Sequence, residues 1–221
     1  YGLVGSEMCI RDRLYGGLGQ NFMNPALAAR CFMLISFAGS MTNFSSVAMN
    51  YDSSSTPTPL AFLKAKGITD ALEQYDLVNI FLGRIPGTIG EVSTIALLIG
   101  AIYLVVRKVI SLRIPLIYIA TVAVFVFLFG DHNPTTVLYH VLSGGLIFGA
   151  FFMATDYVSS PVTKMGQVYF AIFIGILTGL FRLFGGNAEG VSYAIIIGNV
   201  VAPLIEKATL PKAFGREAKK A

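Results

Sequence analysis

The feature that most constrains this chain is the grouping of its apolar residues. They run in long blocks, at about 22–43, 89–106, 114–130, 137–154, 166–183 and 190–206. A helix crossing the bilayer core needs about 20 mostly apolar residues. Within the blocks the apolar residues do not alternate with polar ones, which excludes a porin-type barrel. Nor do they mark a single helical stripe, as a soluble helix would. Composition agrees: 55% of residues are hydrophobic and 13% charged, against about 25% charged in a soluble domain. An ordinary cytosolic enzyme, a disordered chain and a disulfide scaffold are therefore excluded. The expected fold class is an all-α polytopic membrane protein with about six transmembrane helices. Several blocks are short, so tilted or broken helices are expected.

Charge orients the bundle. The net charge is +4, but the excess sits in short flanks of the apolar blocks. The expected partner is a lipid bilayer, with no nucleic acid. Arg107, Lys108 and Arg113 fill one short loop, Lys164 the next loop on that side, and Lys207, Lys212, Arg216, Lys219 and Lys220 the tail. If every block spans, these regions share one face, which the positive-inside rule makes cytoplasmic. The opposite face then carries a polar stretch at 45–88, GDHNPTT (130–136) and FGGNAEG (184–190). The charged piece from Leu60 to Leu82, with Lys64, Lys66, Asp70, Glu73 and Asp76, is expected on the surface. Residues 14–206 form the membrane domain and 207–221 a basic cytoplasmic tail. Segment 1–13 (YGLVGSEMCIRDR) shares no character with the rest and reads like translated sequencing-adapter read-through, so it is expected to be non-native. Cys9 and Cys31 belong to no CxxC pair and lack nearby histidines, so no metal site is expected.

The segment Asp52-Ser53-Ser54-Ser55-Thr56-Pro57-Thr58-Pro59-Leu60 reads by composition as a hydrated, extended loop. Four other stretches place it in context: GGLGQNFMNPALAAR (16–30), IPGTIGEVSTIALLIGA (85–101), SGGLIFGAFFMATDYVSSPVTKMGQ (143–167) and FRLFGGNAEGVSYAIIIGN (181–199). Together they resemble the NqrB/RnfD superfamily over about 14–215. The EGVSYAI stretch and short tail favour the RnfD branch, whose members belong to the Rnf ion-translocating ferredoxin:NAD oxidoreductase. The resemblance implies FMN joined by a phosphoester bond to a threonine, installed by a separate flavin transferase. The family motif is similar to D-x-x-S-G/S-A-T. Laid on this chain, Asp52 is the acidic position, Ser55 the serine and Thr58 the acceptor, followed by Pro59 and Leu60. Thr56 and Pro57 depart from the small residues of the motif. Pro57 fixes φ and removes an N–H, and Pro59 pushes Thr58 toward an extended conformation. The resemblance also implies a second, noncovalent flavin as an option, and Rnf subunits of A, B, C, E and G type as partners. It implies a bacterial or archaeal cell (inner) membrane, with the Thr58 loop on the outer, periplasmic side and the C-terminus cytoplasmic.

An inverted repeat is suggested by Tyr15-Gly16-Gly17-Leu18-Gly19-Gln20, before the first block, and Phe184-Gly185-Gly186-Asn187-Ala188-Glu189, before the last. In such folds, sites form where helix starts meet near the midplane. The chain is then the C-terminal part of a ten-helix fold built as 5+5, with about four spans preceding it. Gly16, Gly17, Gln20, Asn21 and Asn24 could hold an anion or a flavin edge at a broken helix. Equally, they could lead into a simple helix start with Asn24 as N-cap and Pro25 in the first turn. Arg30 falls inside a block, where a charge needs structural pairing or a functional role. Glu91 reads either as an acidic first-turn residue favoured by the helix dipole or as a cation or proton site. His140 reads as a satisfied interior histidine or as a relay. Asp156 reads as a turn cap or as part of an electron and ion path. Arg182 and Glu189 could pair; Glu189, which matches Gln20 in the suggested repeat, is equally a candidate for a flavin or ion path.

Three functions follow. The first is an electron-transfer subunit working through FMN on Thr58, with ferredoxin/NAD electron flow coupled to Na⁺ or H⁺ movement. The second is a small-solute channel or transporter, since the family's membrane fold is similar to that of urea transporters and fold does not dictate function. The third is a flavin-free scaffold.

Overall fold

The computed structural model describes residues 5, 23–37, 58–85, 87, 92–185 and 190–210. Among them there is no strand, and the observed class is an all-α polytopic membrane protein. Helix α1 (Pro25–Ser36) begins where local chemistry demands. The Asn24 carboxamide oxygen accepts from the N–H groups of Ala26 (3.0 Å) and Leu27 (3.3 Å), and Pro25 opens the first turn.

The stretch expected as an outer loop is largely helical in its second half. It folds as α2 (Pro59–Lys66), α3 (Ile68–Gln74) and α4 (Leu77–Leu82). Gly67, with φ +90°, turns the chain between α2 and α3. Lys64, Lys66, Asp70, Glu73 and Asp76 are exposed, as expected. Leu60, Leu63, Ala71, Tyr75, Ile80 and Ile85 are buried in a cluster that includes Tyr139 of the bundle. Helices this short are marginal alone; burial against the bundle holds them as a cap.

Beyond the cap lie α5 (Thr94–Val106), α6 (Arg113–Phe129), α7 (Pro134–Leu142), α8 (Leu146–Met153), α9 (Lys164–Phe184) and α10 (Val191–Thr209). The last turn of α8, Gly149–Met153, is π-helical. α9 packs along both α6 and α10. Gly175 and Gly179 let α6 come close: a Cβ on Gly179 would lie 2.3 Å from Phe125 Cδ1, and one on Gly175 2.6 Å from Thr121 Cβ. Within that seam the hydroxyls of Tyr118 and Thr178, both fully buried, are 2.6 Å apart. Ile99, Ile102, Tyr103 and Val106 of α5 and Leu116, Val124, Phe127 and Leu128 of α6 face outward. Such faces suit lipid or protein neighbours rather than water.

The 21-residue α9 and 19-residue α10 are each long and apolar enough to cross a membrane; α7 and α8 together make a broken segment bent by 65°. α1, α5 and α6 are apolar but shorter. The break interrupts the block expected at 137–154, at Ser143-Gly144-Gly145. Contacts also fix which ends lie together. The Tyr157 hydroxyl donates to the Val109 carbonyl, and Thr163 Oγ1 lies 2.7 Å from Thr209 Oγ1. Arg107, Lys108, Arg113, Lys164 and Lys207 therefore gather at one end. Lys64 donates to the Gly185 carbonyl and Arg182 to that of His140, which places the cap at the other. This is the grouping deduced from the charges.

Candidate functional site

Thr58 lies where the cap begins. Its backbone is extended (φ −60°, ψ 152°), as a residue before proline is driven to be. Its Oγ1 accepts from the Ala61 N–H at 3.4 Å and so caps α2. Pro59 and Leu60 are buried, and the Pro59 carbonyl accepts from the Tyr139 hydroxyl of α7 at 3.4 Å. The half-buried Thr58 hydroxyl thus stands at the N-terminus of a helix pinned to the bundle. Asp52, Ser55, Gly16, Gly17, Gln20, Asn21, Glu91 and Glu189 lie outside the described residues, as do the whole first stretch of the suggested repeat and the second beyond Gly185.

About a turn further along α2 is a cavity of about 180 Å³ between the cap and the bundle. Leu60, Leu63 and Ile68 form its cap wall; Thr136 and His140 of α7 and Arg182 of α9 face them. The cations here have structural work. Breaking a helix leaves its last carbonyls without intrahelical partners, and buried orphans are costly. The buried Arg182 side chain donates to the carbonyls of His140 and Ser143, the latter at 3.3 Å, at the end of α7. Lys64 donates to the carbonyl of Gly185, just past α9. Positive charge at helix C-termini is also favoured by the dipole. Gly144 makes the break possible: its φ is +70°, and a Cβ there would lie 3.3 Å from Arg182 Nη2 and 3.4 Å from Leu60 Cδ2.

Two buried polar atoms in residues of the cavity lining lack such an explanation. Thr136 Oγ1 and His140 Nδ1 are buried without a hydrogen-bond partner, in residues 4% and 6% exposed. His140 is interior, as expected, but not fully satisfied. Arg182 serves the helix break, and its expected pairing with Glu189 falls on an undescribed residue.

The remaining expected residues do not join Thr58. Asn24 is a helix cap. Arg30 borders a small recess with Gly145, Met153, Val191 and Ser192, on the α1 and α10 side of the helix break. Asp156 shapes a turn at the opposite end of the bundle: its Oδ2 accepts from Ser159 Oγ (2.8 Å), and its carbonyl from the Ser160 N–H (3.1 Å) and Oγ (2.6 Å). Lys64 and Thr136 were not anticipated. Their signal was faint, although SGG inside an apolar block and an arginine in an apolar helix do mark the break.

The chain matches the NQR2, RnfD, RnfE family over residues 6–215. Across 97% of its length it is 48% identical to the D subunit of the Na⁺-translocating ferredoxin:NAD⁺ oxidoreductase complex of Acetobacterium woodii. Across 94% it is 43% identical to the D subunit of the proton-translocating ferredoxin:NAD⁺ oxidoreductase complex of Clostridium ljungdahlii. Across 89% it is 35% identical to the B subunit of the Na⁺-translocating NADH-quinone reductase of Chromohalobacter salexigens. It spans 66% of the length of each of the first two and 50% of the third. The chain belongs to the NQR2, RnfD, RnfE family.

Proposed function

We propose that this chain acts as the D-type membrane subunit of an ion-translocating ferredoxin:NAD oxidoreductase, carrying electrons through FMN esterified to Thr58. The observation that carries this reading is the position of the Thr58 hydroxyl at the N-terminus of α2, in a chain 48% identical to a protein of that type. N–H groups of a first helical turn favour negative charge, so a phosphoester on Thr58 Oγ1 suits that place. Pro59 contributes no N–H but presets the turn. The buried Pro59 and Leu60 anchor the attachment point to α7, which fixes where a tethered carrier starts. FMN, when bound, supplies one- and two-electron chemistry; the protein supplies position and field. The residues fit this group: a hydroxyl at a helix start, with a cavity about a turn further along the same helix.

In this reading a flavin transferase matures the chain, the other Rnf subunits supply the ferredoxin and NAD sites, and Thr58 faces the outer side of the cell membrane. The coupling ion is Na⁺ or H⁺, since both named relatives are similar to this chain to nearly the same degree. The broken α7–α8 segment favours a second reading, a small-solute channel or transporter. Against it, Arg182 already occupies carbonyls freed at the break.

The test is flavin fluorescence on a denaturing gel after co-expression with the transferase and the remaining subunits. A fluorescent band is expected in the wild type and lost in Thr58→Ala. A band retained in Thr58→Ala overturns the assignment. So does no wild-type band while the transferase labels another substrate.

A further inference from the structure

We propose that α4 is an interfacial membrane helix, with Val78, Phe81 and Leu82 seated among the phospholipid acyl chains of the leaflet at the cap end. The rest of the cap shows a polar surface: Lys64 and Lys66 of α2 and Thr69, Asp70, Glu73 and Gln74 of α3 are exposed. On α4 the pattern reverses. The helix contains no charged residue. Ile80 is buried in the cap core, and the exposed side chains are Val78, Phe81 and Leu82. At 3.6 residues per turn these three fall on one arc of about 100°, on the side away from Ile80. A face of this kind suits lipid or a protein neighbour, not water.

Depth identifies lipid as the neighbour. α5 and α9 both reach the basic end, where Arg107, Lys108 and Lys164 gather. The 21 residues of α9 make a helix about 31 Å long, and the 13 of α5 one of about 20 Å. The hydrocarbon core is about 30 Å thick. α9 therefore crosses it, and the head of α5 stops about 10 Å short of the cap-end boundary. α4 sits at that head. A Cβ on Gly83, just past α4, would lie 2.8 Å from Cα of Ser93, the N-cap of α5. Lys64, by contrast, donates to the Gly185 carbonyl just past α9, so α2 stands at the boundary itself and α4 lies deeper. Along α5, Ile99, Ile102, Tyr103 and Val106 continue the outward apolar surface toward the basic end.

An interfacial helix keeps its backbone at the wet boundary and sinks its apolar face about 5–10 Å into the acyl region. α4 needs that arrangement, because Asp76 gives its first N–H groups no side-chain acceptor and water must serve them. The exposed Arg84 follows two residues after Leu82, and a guanidinium pairs well with a phospholipid phosphate. A protein partner fits less well. Three side chains on a six-residue helix fall far short of the roughly 20–30 residues a side of a stable protein interface.

The sequence contains no tryptophan, so an introduced one reports on its own surroundings. The full-length chain is reconstituted into phosphatidylcholine nanodiscs, with and without acyl chains brominated near the headgroup, and wild-type emission is subtracted. The ratio between the two lipids, taken for each variant, cancels quenching by any flavin, so the result is independent of the Thr58 reading. Phe81→Trp should be quenched severalfold by brominated lipid, and severalfold less than Glu73→Trp by aqueous iodide. Leu82→Trp should behave in the same way, and it replaces Phe81→Trp should that variant not fold. Insensitivity of the α4 tryptophans to brominated lipid overturns the proposal. Iodide quenching as strong as at Glu73→Trp would then show a face open to water, and quenching by neither agent a face covered by protein. Quenching of Glu73→Trp by brominated lipid as strong as that of Phe81→Trp also overturns it, because the whole cap would then lie in the leaflet.

Discussion

At the scale of single residues, Arg182 tests how the fold handles charge in an apolar setting. Its guanidinium satisfies two carbonyls from a helix it does not belong to, 42 and 39 residues away in sequence. Arg182→Met should destabilise the protein by about 2 kcal/mol or more, because two buried acceptors lose their donor. Arg182→Lys should recover only part of this, since an ammonium lacks the guanidinium's planar fork of donors. Unfolding in mixed micelles measures both; a Met variant as stable as wild type would show that water replaces the side chain. Gly144→Ala should cost about 1–2 kcal/mol from its left-handed backbone alone, before any crowding of Arg182 and Leu60. Local features were legible at this scale: Asn24 and Pro25 announce a helix start through bonds within three residues. The partners of Arg182 were not, because nothing local marks a carbonyl as orphaned until the helix breaks.

Between elements, the α6–α9 seam depends on two glycines one helical turn apart. Gly179→Leu should cost about 1–3 kcal/mol by overpacking, because its Cβ would meet Phe125 Cδ1 at 2.3 Å. Adding Phe125→Ala should recover part of the loss, a coupling that a double-mutant cycle in detergent measures. Additive penalties would mean the helices shift apart instead of clashing. Leu60 to Leu82 reads as a charged, amphipathic surface piece, and short elements explain why its helices α2, α3 and α4 are not legible one by one. Their charged residues do face outward. Their buried set, Leu60, Leu63, Ala71, Tyr75 and Ile80, is spread over three helices of 8, 7 and 6 residues. No one of these is long enough to display a sustained helical period.

Across the whole molecule, stability should be uneven. α9 is packed along two neighbours, whereas the cap helices are short and expose their charges. Hydrogen exchange read by mass spectrometry should find amides in the middle of α9 the slowest of the described helices and those of α3 and α4 among the fastest. Equal protection throughout would mean that cap and bundle open as one unit. The apolar blocks alone determined an all-α membrane class, because only helices and closed barrels satisfy their backbone in lipid and the blocks lack a barrel's alternation. The order of the blocks, with charge flanking alternate ones, also determined which loops share an end. Tertiary structure decided what completes the carbonyls at the α7–α8 break. It also decided that Thr58 stands at a helix start beside a half-polar cavity. The physical reason is range: hydropathy and capping act within a turn or a span, whereas a cavity exists only where distant helices fail to fill the space between them.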